Sequence, residues 1–184
     1  MAGGWEFPGG KLEPGEDRRA GLARELHEEL GITLVAPPRP LIRVRHAYDH
    51  GVVLIDMWVV KRYRGEPKGL EAQALRWVSQ EELESVELLP ADKPIVAALR
   101  LPERLSAVST RDYVLGRLRG VSCDGMADAM AASDAGADFL VLRTELPHAE
   151  IRSMCEMIAV PVYVPGLEVV QAWELGATGV VEPR

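Results

Sequence analysis

The chain has 184 residues, of which 47% are hydrophobic and 27% are charged, so it can form one large or two small globular domains. Its net charge of −7 argues against broad nucleic-acid binding, which needs a basic surface. No stretch approaches the roughly 18 apolar residues of a membrane span, and the two cysteines are too few for a disulfide framework. These features predict a cytoplasmic protein that does not bind a membrane.

A loop punctuated by glycine and proline, residues 7–15, leads into an amphipathic helix. Asp17 can cap the start of the helix and Gly31 can end it. The apolar side of the helix is indicated by three leucines spaced four residues apart. They are Leu22, Leu26 and Leu30.

Three glutamates lie beside the leucine stripe of this helix. At about 100° per residue, Glu25, Glu28 and Glu29 fall within one arc of roughly 100°. Carboxylates at these spacings repel one another, and a divalent cation would relieve the repulsion. Oxygen ligands suit Mg²⁺, with Mn²⁺ as the other possibility. A solvated acidic face is the alternative.

The neighbours of the glutamates complete a longer motif. Its fixed positions are Gly10, Glu16, Arg24, Glu25, Leu26, Glu28, Glu29, Gly31 and Ile32. This pattern resembles the Nudix box. The preceding segment Trp-Glu-Phe-Pro-Gly-Gly-Lys, residues 5–11, is similar to the MutT branch, the 8-oxo-dGTP diphosphatases.

The resemblance implies a set of site residues. Glu25, Glu28 and Glu29 would be metal ligands, and the Gly9 carbonyl would add another. Glu28 and Glu29 would also serve in catalysis, and Phe7 would help to bind substrate.

Two further residues of the motif would support this site. By the same resemblance, Arg24 and Glu16 would brace the loop against the helix.

The start of the chain lies unusually close to the motif. Relatives of this kind usually carry a strand and its hairpin partner before this point, and in the MutT branch a methionine often precedes the Trp-Glu-Phe segment. Met1 is therefore expected to correspond to an internal methionine. The resemblance implies an N-terminally shortened Nudix α/β/α sandwich that lacks the usual first strands.

Two antiparallel strands are predicted after the helix, at residues 41–48 and 52–63, followed by a loop and a short strand at 75–78. The loop spacing Gly-Glu-Pro-x-Gly-x-Glu-x-Gln resembles the loop that gives MutT-type enzymes a further carboxylate. Glu71 is thereby implied as a fourth acidic group, either a metal ligand or the base that activates water.

The segment from Ser79 to residue 100 completes the first predicted domain, residues 1–100. Ser79 and Glu82 form a capping-box pattern, and a helix is predicted at residues 95–99. The Pro-Ala-x-x-Pro stretch before it resembles the place where the MutT branch binds the purine, often through asparagine. This chain has Asp92 there, and because an ionised carboxylate only accepts hydrogen bonds, recognition of the base is expected to change.

Residues 101–184 alternate short apolar runs with helical stretches, which predicts parallel β/α units. Strands are predicted at 105–109, 118–122, 139–142, 160–164 and 179–181, and helices at 111–117, 124–135, 147–158 and 168–175. The segment resembles the later half of the thiamine-phosphate synthase barrel. Five strands cannot close an eight-stranded barrel, so a partial (β/α) barrel-like domain is expected.

The overall prediction is an α/β and α+β protein whose first domain hydrolyses a nucleoside triphosphate with Mg²⁺. The substrate would be an oxidised purine nucleotide, and the products a monophosphate and pyrophosphate. One alternative is a catalytically impaired remnant that acts as a binding or structural module. Another is an activity related to thiamine-phosphate synthase, although Pro165 replaces the first glycine of that family's phosphate-binding pair.

Overall fold

The computed structural model describes residues 4–48, 51–89, 92–107 and 112–182. Predictions that concern Met1, Pro90, Ala91 or residues 108–111 lie outside the described residues. In chain order the helices are α1 (Arg18–Leu30), α2 (Lys93–Ala98), α3 (Met126–Asp134), α4 (His148–Met157) and α5 (Val169–Glu174). The strands are β1 (Thr33–Leu34), β2 (Arg39–Tyr48), β3 (Gly51–Val59), β4 (Tyr63–Arg64), β5 (Arg104–Ser106), β6 (Asp112–Leu115), β7 (Leu118–Cys123), β8 (Phe139–Leu142), β9 (Val162–Pro165) and β10 (Gly179–Glu182).

The chain divides into two compact units. The first comprises Met1–Arg39 and Trp58–Lys93, and the second comprises Pro40–Met57 and Pro94–Arg184. The predicted domain boundary between residues 100 and 101 stays a prediction. None of the helices in the described ranges has the length and apolar character needed to cross a membrane.

Helix α1 dominates the first unit, and local chemistry sets both of its ends. The Asp17 carboxylate accepts the backbone N–H groups of Arg19 and Ala20, at 2.9 and 3.2 Å. Gly31 ends the helix with a φ of 69°, a left-handed conformation that glycine adopts without strain. The buried stripe packs on the small antiparallel sheet of β1 and β4. This core consists of Leu26, Leu30 and Ile32, with Leu22, Leu34, Val60 and Tyr63 packed against it.

The remainder of the first unit corrects one prediction. Residues 75–78, predicted as a strand, form no strand, and Trp77 is 78% exposed. The segment is apolar, but no described strand pairs with its backbone. The predicted capping box is present, because Ser79 and Glu82 exchange hydrogen bonds of 3.2 and 3.3 Å at a 3₁₀ helix (Glu82–Ser85).

The predicted hairpin of β2 and β3 forms a two-stranded sheet, and most of it belongs to the second unit. Thr178 donates its hydroxyl hydrogen to the Leu41 carbonyl at 2.9 Å, and both residues are buried. Arg43 donates to the Glu156 carbonyl at 2.8 Å and pairs with Asp56 at 2.6 Å. The hairpin is therefore anchored to α4 and to the segment just before β10.

The second unit contains a six-stranded sheet in the order β5-β10-β9-β8-β7-β6. In this order, all neighbouring strands from β5 to β7 pair in parallel, which confirms the predicted β/α alternation. The sheet is curled into a half-barrel. The predicted helix at 111–117 is wrong. Those residues include β6, which pairs antiparallel with β7. Gly116 allows the two-residue reversal with a φ of 61°.

The sheet of the second unit buries both of its faces, because alternate side chains enter different clusters. Leu140 and Leu142 pack with the helices, whereas Phe139 and Val141 pack on the opposite face. On that opposite face, the Phe139 ring makes edge-to-face contacts with two tyrosine rings, at centroid distances of 6.3 and 5.8 Å. The tyrosines are Tyr113 and Tyr163.

Gly120 on β7 provides a test of this packing. A Cβ atom there would clash with the fully buried Phe139 ring. We expect Gly120→Ala to lower the free energy of unfolding by about 1–3 kcal/mol in urea denaturation. Gly125→Ala is the matched control, since Gly125 has an extended φ of 177° and the nearest atom to an added Cβ is 3.9 Å away. Equal stability of the two variants would contradict the packing.

Candidate active site

Arg24 joins the loop to α1 in the first unit. Its guanidinium donates twice to the Glu16 carboxylate, at 2.9 and 2.8 Å, and once to the Lys11 carbonyl at 3.1 Å. The same guanidinium donates to Glu25 and Glu28, at 2.9 and 3.0 Å. These contacts lower the pKa of Glu16 to about 2 and raise the pKa of Arg24. The loop and the acidic side of α1 are thus held by one charged group.

The two glycines at the turn of the loop lie directly against the glutamates of α1. The Gly9 N–H donates to Glu29 Oε2 at 3.0 Å. A Cβ atom on Gly10 would clash with the Glu25 carboxylate, which would then have to move out of its present position. Gly21 has a related role on the helix, because a side chain there would clash with Leu12 and crowd Glu16.

The Glu29 carboxyl group is the electrostatic centre of the acidic cluster. Partial burial raises its pKa, and the negative charges of Glu71, Glu25 and Glu6 raise it further, while the Gly9 N–H lowers it. Charges on three separate segments of the unit therefore act on one carboxyl group. Such repulsion is unfavourable unless a cation is present.

Glu71 lies in a loop that is attached to the C-terminal end of α1. The N–H groups of Lys68 and Leu70 donate to the carbonyls of Leu30 and Glu29, at 3.1 and 2.9 Å. These bonds satisfy carbonyl groups that a helix end leaves without partners. They also bring the loop carboxylate towards the helix glutamates.

A cavity of about 560 Å³ opens beside this cluster, within the size range of small-molecule sites. Its lining contains both glutamates and apolar side chains. The lining residues are Gly4, Trp5, Glu6, Phe7, Pro8, Glu29, Leu30, Glu71, Gln73, Ala74 and Leu75. Of the residues singled out in the sequence, the cavity brings together Phe7, Glu29 and Glu71.

Asp92 is not among the residues that line the cavity. It is 7% exposed, and its Oδ2 atom is buried without a hydrogen-bond partner among the described residues. Burial, with a smaller contribution from the charge of Glu6, raises its pKa from 3.8 to about 6. Glu6, whose charge acts on Asp92, itself lines the cavity.

The donor set suits a hard divalent cation. Every acidic group that acts on Glu29 is a carboxylate, and oxygen is the ligand type that Mg²⁺ and Mn²⁺ prefer. Across the described ranges, no three acidic, histidine or cysteine side chains are already arranged as a metal cage. Glu25 and Glu28 are instead held by Arg24, and ligation by either would rearrange those contacts.

Two contributors to the site were not singled out in the sequence. Glu6 adds charge to the cluster, and Gln73 bridges the Glu71 loop to α1. Glu6 lies in the Trp-Glu-Phe segment and Gln73 in the Glu71 loop, and both segments resemble the MutT branch. The spacing of a motif does not show which of its side chains lie close to Glu29. Only the contacts reveal them.

The NUDIX domain family pattern matches residues 1–98, more than half of the chain. The 8-oxo-dGTP diphosphatase of Escherichia coli K12 is 36% identical over 102 residues, which are 54% of this chain and 77% of that protein. The CTP pyrophosphohydrolase of the same organism is 40% identical over 98 residues, covering 53% of this chain and 72% of that protein. The solution structure of the E. coli ORF135 protein is 38% identical with a TM-score of 0.49, covering 54% of this chain and 70% of that one.

The chain therefore belongs to the Nudix family. It is an enzyme of that family, a hydrolase that resembles nucleoside triphosphate pyrophosphohydrolases. The matched residues include the helix α1, its preceding loop and the loop that carries Glu71.

Proposed function

We propose that the chain hydrolyses an oxidised purine nucleoside triphosphate, of the 8-oxo-dGTP class, to its monophosphate and pyrophosphate. The observation that carries the proposal is that acidic and apolar side chains line the same cavity. A base can pack against Trp5, Phe7 and Leu75, while the phosphates lie towards the glutamates. This activity would remove damaged nucleotides from the cytoplasmic pool and thereby limit their incorporation into DNA.

A divalent cation, Mg²⁺ or Mn²⁺, would supply charge stabilisation at the phosphates and lower the pKa of an attacking water. Its ligands would come from the carboxylates and one carbonyl of the site. They are Gly9, Glu25, Glu28, Glu29 and Glu71.

The chain's own residues would perform the remaining steps. Glu28, Glu29 or Glu71 would accept the proton of the attacking water. The clamp of Arg24 on Glu16 would hold the loop in place over α1. The Gly9 N–H would orient the Glu29 carboxylate through its 3.0 Å hydrogen bond.

A second substrate class follows from Asp92. Its buried Oδ2 can accept a hydrogen bond but, when ionised, cannot donate one. The exocyclic amine of cytosine can donate to this oxygen, whereas an ionised carboxylate, unlike the asparagine usual at this place in the MutT branch, cannot donate to the O6 atom of 8-oxo-guanine. A cytidine triphosphate is therefore the alternative substrate, and a relative named for that activity is 40% identical.

The direct test is pyrophosphate release from the full chain, measured with 8-oxo-dGTP, dGTP and CTP, with and without Mg²⁺. Release that depends on Mg²⁺ and favours 8-oxo-dGTP supports the first substrate class. Preference for CTP selects the second. Binding of nucleotide without turnover would support the remnant hypothesis, and the hydrolase proposal would fail.

For the second unit we propose a structural appendage rather than a synthase. In the segment Pro165-Gly166 the proline lacks a backbone N–H to give to a phosphate. The Glu145 carboxylate lies against Gly166, so closely that a Cβ there would clash with it. A carboxylate at that position repels a phosphate group.

A further inference from the structure

Gln73 occupies a bridging position in the loop that carries Glu71. Its side-chain oxygen accepts the Glu71 N–H at 2.9 Å, and its side-chain nitrogen donates to the Glu29 carbonyl at 3.2 Å. One half-buried amide thus connects the backbone of the two acidic residues. Because an amide has both a donor and an acceptor, no acidic, basic or apolar side chain of similar size can replace both bonds.

The backbone around Gln73 is folded tightly to make this bridge. Ala72 has a φ of 62°, a left-handed conformation that costs about 1 kcal/mol for a residue other than glycine. At Gly69, a Cβ atom would clash with the Gln73 carbonyl, so the loop needs a glycine there. The two hydrogen bonds of Gln73 oppose the release of this strain. Without them, the loop would relax into a more open conformation.

We infer that Gln73 is a positioning residue that holds the Glu71 carboxylate towards Glu29 for the hydrolytic reaction. Glu29 and Glu71 line the same cavity as Gln73, and the two bonds of Gln73 join their backbones. The Glu29 carbonyl also accepts the Leu70 N–H at 2.9 Å, so the last turn of α1 does not depend on Gln73 alone. The inference rests on the proposed function in one respect, namely that Glu71 contributes to divalent-cation binding.

The test uses Mn²⁺ affinity of the full chain, measured by electron paramagnetic resonance, so it does not depend on turnover. We expect Gln73→Met to weaken Mn²⁺ binding by about 10-fold or more, as for other residues that orient metal ligands. Glu71→Gln should weaken binding comparably. The double variant should bind no more weakly than Glu71→Gln alone, because Gln73 acts through Glu71.

Two controls separate positioning from loss of structure. Gln80→Met makes the same chemical change outside the loop and should leave Mn²⁺ affinity unchanged. Gln73→Asn keeps the amide and the charge of the site but is one methylene too short to span both bonds, and it should show an intermediate loss. Thermal unfolding of each variant identifies any loss of affinity that follows from unfolding.

Three results would overturn the inference. The first is wild-type Mn²⁺ affinity in both Gln73 variants. The second is a double variant that binds Mn²⁺ more weakly than Glu71→Gln alone by the full factor of Gln73→Met. The third is a wild-type chain that does not bind Mn²⁺. A chain that binds Mn²⁺ but releases no pyrophosphate would sink the proposed hydrolysis instead. In that case the affinity comparison still decides the role of Gln73.

Discussion

Glu28→Gln should leave the chain folded and lower Mg²⁺-dependent pyrophosphate release by about 10²–10⁴-fold, the usual loss when a general base is removed. The Glu28 side chain is 53% exposed, so the substitution disturbs no core packing. Its Oε2 atom accepts from Arg24 at 3.0 Å, and a glutamine oxygen can accept the same bond. The lost negative charge is then the main change.

The measurement is kcat with saturating Mg²⁺ and triphosphate, with far-ultraviolet circular dichroism as the check on folding. Glu81→Gln is the matched control, because Glu81 precedes the 3₁₀ helix and makes no capping hydrogen bond with its side chain. It should keep wild-type turnover. Near-normal turnover of Glu28→Gln would remove Glu28 from the proposed catalytic set.

Asp92→Asn should make the chain more stable at neutral pH and raise its selectivity for 8-oxo-dGTP over CTP. The amide removes a buried charge and supplies a donor at a position where the carboxylate has only acceptors. We expect the ratio of kcat/KM for 8-oxo-dGTP over CTP to rise by about 10-fold. The reason is that the amide can donate a hydrogen bond of about 1–1.5 kcal/mol that the carboxylate cannot.

The pH dependence of stability has a definite sign at Asp92. Its pKa is about 6 in the folded chain and ordinarily 3.8, so the folded state binds more protons between these values. The contribution of Asp92 to the free energy of unfolding is therefore fully present below about pH 4 and decreases as the pH rises to about 6. The total loss is at most roughly 3 kcal/mol, and Asp92→Asn should abolish it.

Urea denaturation at several pH values between 4 and 8 measures this effect. Asp134→Asn makes the same change at an exposed position and should keep the wild-type pH dependence. An unchanged slope in Asp92→Asn would show that another group carries the titration. An unchanged ratio of kcat/KM for 8-oxo-dGTP over CTP would show that Asp92 takes no part in base recognition.

The sequence predicted α1 well because its determinants are local. Asp17, Gly31 and the leucine stripe act within a few residues of the positions they control. The glutamate spacing likewise follows from helix geometry alone. The role of Gln73 could not be predicted, because its two bonds connect segments 44 residues apart and depend on a strained turn at Ala72.

The fold predictions failed where a partner strand decides the structure. Residues 111–117 contain few strand signals, but pairing with β7 and the Gly116 reversal make a hairpin. Residues 75–78 look like a strand, but among the described residues no strand pairs with them. In the second unit, the strands from β7 to β10 were predicted within about two residues, because each is a short apolar run next to a helical stretch.

The bond from Thr178 to Leu41 joins residues 137 positions apart, and it has a consequence for synthesis of the chain. Thr178 leaves the ribosome 137 residues after Leu41. Until then the hairpin of β2 and β3 lacks the surface that buries Leu41, and a lone two-stranded hairpin is marginally stable. The second unit is therefore completed only after β10 has been synthesised, and truncation before residue 178 should leave an aggregation-prone nascent chain.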